Sequence, residues 1–167
     1  MDAMLLEMLD LSRLEAGRVK LQRSDISLTQ LTQQVFDRLA LAAQAKELQV
    51  TLQLPQECTV NADGPRLEQV ITNFAINAVK YTPLGGKITV QLQPLGKQWV
   101  LTVENDSPPL PQQALDRVWD TFYRADESRT GEGSGLGLAI AKSIIDLHGG
   151  RCIARNSENG VTFGFLL

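Results

Sequence analysis

The sequence contains only one histidine and two cysteines, and that scarcity removes several chemistries at once. Cys58 and Cys152 lie far apart, without the short spacing of zinc ligands, and His148 cannot complete a metal site with them. Both thiols read as buried groups of a reducing compartment. A strong charge of one sign is also missing. The formal net charge is −3, and no run of basic residues interleaved with aromatics is present, which argues against nucleic acid as a partner. No apolar stretch is long enough to span a bilayer, and the first residues lack the basic-then-apolar order of a secretion signal. The expectation is a soluble, cytoplasmic chain with no direct membrane contact. Against these absences stands an apolar content of 43% over 167 residues, enough for one compact domain with a core.

Glycine is concentrated in GEGSGLGLAIAK, residues 131–142. Gly133, Gly135 and Gly137 can bring main-chain N–H groups close to a ligand, and Leu138, Ile140, Ala141, Ile144 and Ile145 carry helix-spaced apolar positions directly after them. The first N–H groups of such a helix have no internal partner and sit at the positive end of its dipole, so a phosphate suits them. A plain turn before a helix is the competing reading. The motif is not a P-loop, because no Lys-Ser/Thr pair follows the last glycine, and it does not follow a strand as a dinucleotide loop does.

Residues 1–17 place Met4, Leu5, Met8, Leu11 and Leu14 at helical spacing and end at Gly17. Such a stripe suits either a terminal helix folded onto the domain or one half of a helical hairpin or coiled-coil dimer. Ser27 can cap a helix over residues 28–46, with Leu31, Val35, Leu39 and Ala42 inward, and residues 48–54 alternate as a strand ended by Pro55. Asp63 or Gly64 opens the next helix, with Pro65 early in it and Pro83 beyond its end. There Leu67, Val70, Ile71, Phe74 and Ala78 form an apolar arc, while Asn73, Asn77, Lys80 and Tyr81 share an adjoining one. An amide oxygen can ligate Mg²⁺, a lysine can neutralise phosphate, and a tyrosine can flank a base or ribose. A solvated polar face is the alternative.

Residues 87–95 and 98–104 alternate as a hairpin turning near Gly96, a proline-rich loop covers 105–111, and a short helix over 112–118 turns Leu115 and Val118 inward. Trp119, Phe122 and Tyr123 precede a polar stretch, 124–132, that reads as a mobile lid. The chain finishes as a hairpin of 151–155 and 161–167 turning at Asn159 and Gly160. His148 reads as a helix-end residue, where a protonated imidazole suits the dipole, rather than as a catalyst.

Four ordered segments now carry a resemblance. RLEQVITNFAINAVKYTP resembles an N box, VENDSPPLP a degenerate first glycine box, VWDTFYRADESRT an F box, and GEGSGLGLAIAKSIIDLHGG a second glycine box. In this order they resemble the catalytic ATP-binding domain of bacterial two-component sensor histidine kinases, of the superfamily that includes DNA gyrase, Hsp90 and MutL. The resemblance covers most of residues 25–167, and MLLEMLDLSRLEAG resembles the end of the second helix of the dimerisation hairpin. It implies an α/β two-layer sandwich of the Bergerat type, with a mixed, largely antiparallel sheet packed on about three helices. It further implies three parts: the end of the dimerisation hairpin at 1–17, a linker at 18–26 and the catalytic domain at 27–167.

Position by position, the resemblance implies that Asn77 ligates Mg²⁺ with Asn73 nearby, that Lys80 reaches the triphosphate of ATP and that Tyr81 lies against the nucleoside. Asn105 falls where the family has an aspartate that binds the adenine amino group, and its amide oxygen can accept that bond. Ser107 and Pro109 stand where glycine is usual. Leu110 supplies an apolar wall, Arg124 meets the terminal phosphate, and Gly133, Gly135, Leu136, Gly137 and Leu138 belong to the phosphate cradle. Asn73 occupies the place where the superfamily's ATPases carry a water-activating glutamate. The implied reaction is therefore phosphoryl transfer to a histidine on the dimerisation helices of a homodimer, and onward to a response regulator. That acceptor is expected outside this sequence, in a longer membrane-linked receptor. A nucleotide-independent docking module and a stand-alone ATPase are the competing readings.

Overall fold

The computed structural model describes residues 3–124 and 135–167. Its elements in order are α1 (Ala3–Glu15), β1 (Ser24–Ser27), α2 (Leu28–Arg38), α3 (Ala40–Ala45), β2 (Gln49–Gln53), β3 (Thr59–Ala62), α4 (Gly64–Tyr81), β4 (Lys87–Leu95), β5 (Gln98–Asp106), α5 (Gln112–Arg117), α6 (Gly137–Leu147), β6 (Arg151–Asn156) and β7 (Gly160–Leu166). Five strands form one sheet in the order β2-β4-β5-β7-β6, parallel between β2 and β4 and antiparallel elsewhere. The helices cover one face, giving the two-layer α/β architecture that the resemblance implies.

Alternation sets the inner face of the sheet. Ile88, Val90 and Leu92 of β4, Leu101 and Val103 of β5, and Val161, Phe163 and Phe165 of β7 are buried in one cluster with Leu67, Val70, Ile71, Phe74, Ala75 and Ala78 of α4 and Ile140, Ile144 and Ile145 of α6. Phe74 lies at its centre, with ring centroids 6.2 Å from Trp119 and 6.4 Å from both Phe163 and Phe165.

The ends of α4 lie where the sequence marks them. Asp63 Oδ1 accepts the Arg66 N–H at 3.2 Å, and Thr82 Oγ1 donates to the Ala78 carbonyl at 2.5 Å. α1 ends in a Schellman turn, with the Arg18 N–H bonded to Arg13 O at 3.0 Å and the Gly17 N–H to Leu14 O at 3.2 Å. Its Leu11 and Leu14 are buried against the domain, while Met4, Leu5 and Met8 stay exposed.

Three expectations change. The helix expected over 28–46 is broken at Leu39, and the new turn buries Ala43 in place of Ala42. Two short strands, β1 and β3, pair antiparallel beside the main sheet and carry the Cys58 carbonyl to the Leu28 N–H at 2.7 Å. Gly160 belongs to β7 rather than to the turn. It pairs with Asp106, and a Cβ there would strike the Asn105 carbonyl.

Candidate functional site

A cavity of about 900 Å³ opens between α4, the start of α6, the end of β5 and the loop after it. Asn73, Asn77, Lys80 and Tyr81 all line it, as the helical spacing requires. Asn105, Leu110, Arg124, Gly135, Gly137 and Leu138 line it as well. The Leu136 side chain does not: it is fully buried in the core and anchors the start of α6. Gly133 lies outside the described residues, as does all of the expected lid except Arg124.

The start of α6 is the site's electropositive feature. Its N-cap is Leu136, whose side chain has no oxygen to offer, and among the described residues no side chain caps the helix. The first-turn N–H groups of a helix have no acceptor inside the helix and lie at the positive end of its dipole, where an anion suits them. Gly135 precedes it at φ +71°, with its carbonyl accepting the Phe122 N–H at 2.9 Å. A Cβ at Gly135 would come within 2.9 Å of Phe122 Cα, so a side chain there would push the F-box backbone away.

On α4, Asn73 Nδ2 donates to the Gly137 carbonyl at 3.0 Å, fastening the two helices at the cavity. Lys80 Nζ lies 5.2 Å from the centre of the Tyr81 ring. Asn105 is buried, with its Nδ2 donating to the Asp106 carbonyl at 3.1 Å, so Oδ1 is the atom of that amide suited to accept from a ligand.

Two contributors escape sequence reasoning. Lys46 Nζ donates to the Val79 and Lys80 carbonyls at 2.7 and 3.1 Å, capping the end of α4 and bringing a further cation to the cavity wall. Asn156 grips Leu110 from both sides: its Oδ1 accepts the Leu110 N–H at 2.8 Å, and its Nδ2 donates to the Leu110 carbonyl at 2.8 Å. Neither pairing leaves a local sequence signal. α1 adds one carboxylate to the lining, that of Glu7.

His148 does end a helix, as expected, but in the neutral form rather than protonated. Its Nε2 accepts the Asp63 N–H at 3.1 Å, so the proton is on Nδ1, which donates to the Ile144 carbonyl at 2.8 Å. Burial, the largest cause, holds its pKa below the ordinary 6.5. Burial also pushes Cys58 up to about 11 and Cys152 up to about 12, which makes both thiols inert.

Known proteins resemble the chain in sequence and in fold. The family described as Histidine kinase-, DNA gyrase B-, and HSP90-like ATPase matches residues 62–167. Sensor histidine kinase CusS of Escherichia coli O6:H1 (strain CFT073) is 33% identical over 100% of this chain, which spans only 35% of CusS. Sensor protein SphS of Synechococcus elongatus is 35% identical over 90% of the chain, which spans 38% of SphS. The catalytic domain of histidine kinase ThkA, solved free of nucleotide, superposes with a TM-score of 0.81 at 28% identity, covering 88% of this chain and 95% of that one. ThkA solved in complex with the response regulator protein TrrA gives 0.79 at 25% identity, covering 98% and 47%. Full-length ShkA in complex with AMPPNP gives 0.86 at 26% identity, covering 98% and 35%. The chain thus belongs to the histidine kinase, gyrase B and HSP90-like ATPase family, and its fold is that of a histidine kinase catalytic domain.

Proposed function

We propose that the cavity takes ATP with Mg²⁺ and that the domain passes the γ-phosphoryl group to a histidine on a helical dimerisation element that includes residues 1–17. From there the group goes to an aspartate of a response-regulator receiver domain. The carrying observation is that the start of α6, at Gly137 and Leu138, opens on the same cavity as Asn77, Lys80 and Arg124, with the positive end of its dipole there. Asn105 Oδ1 accepts from the adenine amino group, Leu110 forms an apolar wall, and Tyr81 flanks the nucleoside. Lys80 and Arg124 meet the phosphates, with the backbone of Gly135, Gly137 and Leu138 cradling them.

Asn77 holds the metal. Among the described residues no group of three His, Cys, Asp or Glu side chains could hold an ion by itself, and the amide oxygen of Asn77 is the kind of ligand that would suit a hard cation brought in with the nucleotide. Bound there, Mg²⁺ supplies neutralisation of phosphate charge.

Catalysis by this domain rests on positioning and charge. The bond from the γ-phosphorus to its bridging oxygen breaks as a phosphorus–nitrogen bond forms, and ADP leaves with the electron pair. Asn73 carries no carboxylate to take a proton from water, which favours a histidine acceptor over hydrolysis. His148 is not that acceptor, since both its ring nitrogens are bonded inside the fold. The likeness to ThkA, solved with TrrA, supports the response regulator as the next partner. Among the described residues no helix is long and apolar enough to cross a membrane, in keeping with a domain that works on the cytoplasmic side of a membrane-linked receptor.

The test is calorimetric titration with an ATP analogue. Wild type binds with Mg²⁺, and Asn77→Ala loses affinity chiefly when the metal is present. Equal loss with and without metal removes Asn77 as ligand, and absence of any heat with wild type overturns the reading.

A further inference from the structure

Two hydrogen bonds fasten α4 to α6, one at each end of their contact. At the cavity the bond runs from Asn73 Nδ2 to Gly137 O, and at the far end from the Asp63 N–H to His148 Nε2. Ten residues separate Asp63 from Asn73, and eleven separate Gly137 from His148. At about 1.5 Å per residue the intervals are roughly 15 and 17 Å, so the helices lie antiparallel with nearly matched lengths between the two fastenings.

The far fastening is also where the segment after α1 arrives. The Gln22 N–H donates to Asp63 Oδ2 at 3.0 Å. Arg23 donates through Nη2 to the His148 carbonyl at 3.4 Å and through Nη1 to the Asn61 carbonyl at 3.2 Å. α1 itself is tied to the first turn of α4, where Arg66 Nη1 donates to the Asp10 carboxylate at 2.9 Å. His148 and Asp63 are only 8% and 7% exposed. One junction therefore holds the start of α4, the end of α6, the Gln22 backbone and the Arg23 side chain.

We propose that this junction couples the segment after α1 to the nucleotide site: His148 is a positioning residue that, through Asp63, sets how α4 and α6 stand to each other, and its protonation releases the far fastening. The binding side of this proposal rests on the nucleotide reading above; the coupling of the two helices does not.

The groups facing the imidazole are the Arg23 guanidinium from the segment after α1, the Asp63 carboxylate from the cap of α4, and the Ile144 carbonyl from α6. Burial and Arg23 disfavour the charged ring, while the Ile144 carbonyl and Asp63 favour it. A protonated ring presents a hydrogen from Nε2 to the Asp63 N–H, and that bond is lost. Because the folded-state pKa is depressed, the stabilisation is complete above the ordinary value of 6.5 and is lost as pH falls through the folded value.

The test uses the 167-residue chain, a non-hydrolysable ATP analogue with Mg²⁺, and amide hydrogen exchange without nucleotide. His148→Gln keeps an oxygen able to accept from the Asp63 N–H and does not titrate. As pH is lowered from about 7.5 to the lowest value at which circular dichroism shows the chain still folded, wild type loses about fivefold or more in affinity relative to this variant, the loss of one buried hydrogen bond. An unchanged ratio of the two affinities overturns the protonation step. Arg23→Gln, read by exchange, speeds opening both at residues 145–150 and at residues 137–141 of the phosphate-facing turn. Faster exchange confined to 20–25 and 145–150 overturns the coupling. Failure of wild type to bind the analogue at the higher pH counts against the nucleotide reading, and the exchange result still decides the coupling.

Discussion

Asn73→Ala and Asn73→Asp together separate a fastening from a ligand. The bond from Nδ2 to the Gly137 carbonyl is 3.0 Å long and partly buried. Gly137 is the first residue of α6, so its oxygen also accepts from the helix N–H four residues on. Truncation to alanine therefore removes one bond without orphaning the acceptor, at a cost of about 0.5–1.5 kcal/mol. For a chain of this size, each 1 kcal/mol lowers Tm by about 2–4 °C. Aspartate keeps the shape but replaces the donor with a second acceptor. Facing the Gly137 carbonyl, it should cost more than alanine at neutral pH and recover part of the loss in acid, where the protonated carboxyl can donate. Scanning calorimetry of the chain without nucleotide reads both variants. If neither moves the nucleotide-free Tm and all loss appears in nucleotide affinity, Asn73 is a ligand group only and the fastening argument fails.

Gly160→Ala places a Cβ against the Asn105 carbonyl, so β5 and β7 must part beside the cavity. A loss of about 1–3 kcal/mol or more is expected, read as a lower urea midpoint at unchanged slope; a midpoint equal to wild type refutes the contact. Cys58 and Cys152, with pKa values pushed up to about 11 and about 12, carry almost no thiolate at about pH 8. Iodoacetamide should label both far more slowly in the folded chain than in urea, and rapid labelling of the buried Cys58 in the folded chain contradicts its burial, while Cys152 is half-buried.

The parts of the fold that were legible are those whose information is local. Asp63, Pro65 and Pro83 bracket α4, and its 18 residues display the apolar arc and the polar arc together, so the helix and the amide wall of the cavity follow from one periodicity. β4 and β5 alternate over nine residues each and are equally plain. β1 and β3 are four residues long, with too few apolar positions to alternate, and exist because they pair with each other. The break at Leu39 has no proline or glycine to announce it. Lys46 and Asn156 act across 33 and 46 residues, a distance no helical or strand period encodes. At His148 the local rule was outweighed. A helix end favours the imidazolium by ~0.3–1 kcal/mol when exposed, but burial and the Asp63 N–H, which needs a lone pair, favour the neutral ring.

Asn105 shows the same contest between charge and surroundings, settled at the level of residue choice. Its side chain is 3% exposed, in mid-sheet between Ile88 and Val161, and the neighbouring Asp106 already uses its carboxylate to accept the Lys87 N–H at 2.9 Å. A carboxylate in place of Asn105 would be buried and would turn an acceptor toward the Asp106 carbonyl, where Nδ2 now donates. Burying an unpaired charge costs several kcal/mol, whereas an amide whose nitrogen is satisfied by the backbone is tolerated. The amide thus presents to the cavity the one feature that a carboxylate and an amide share, an accepting oxygen, and its orientation is set by the backbone instead of by charge.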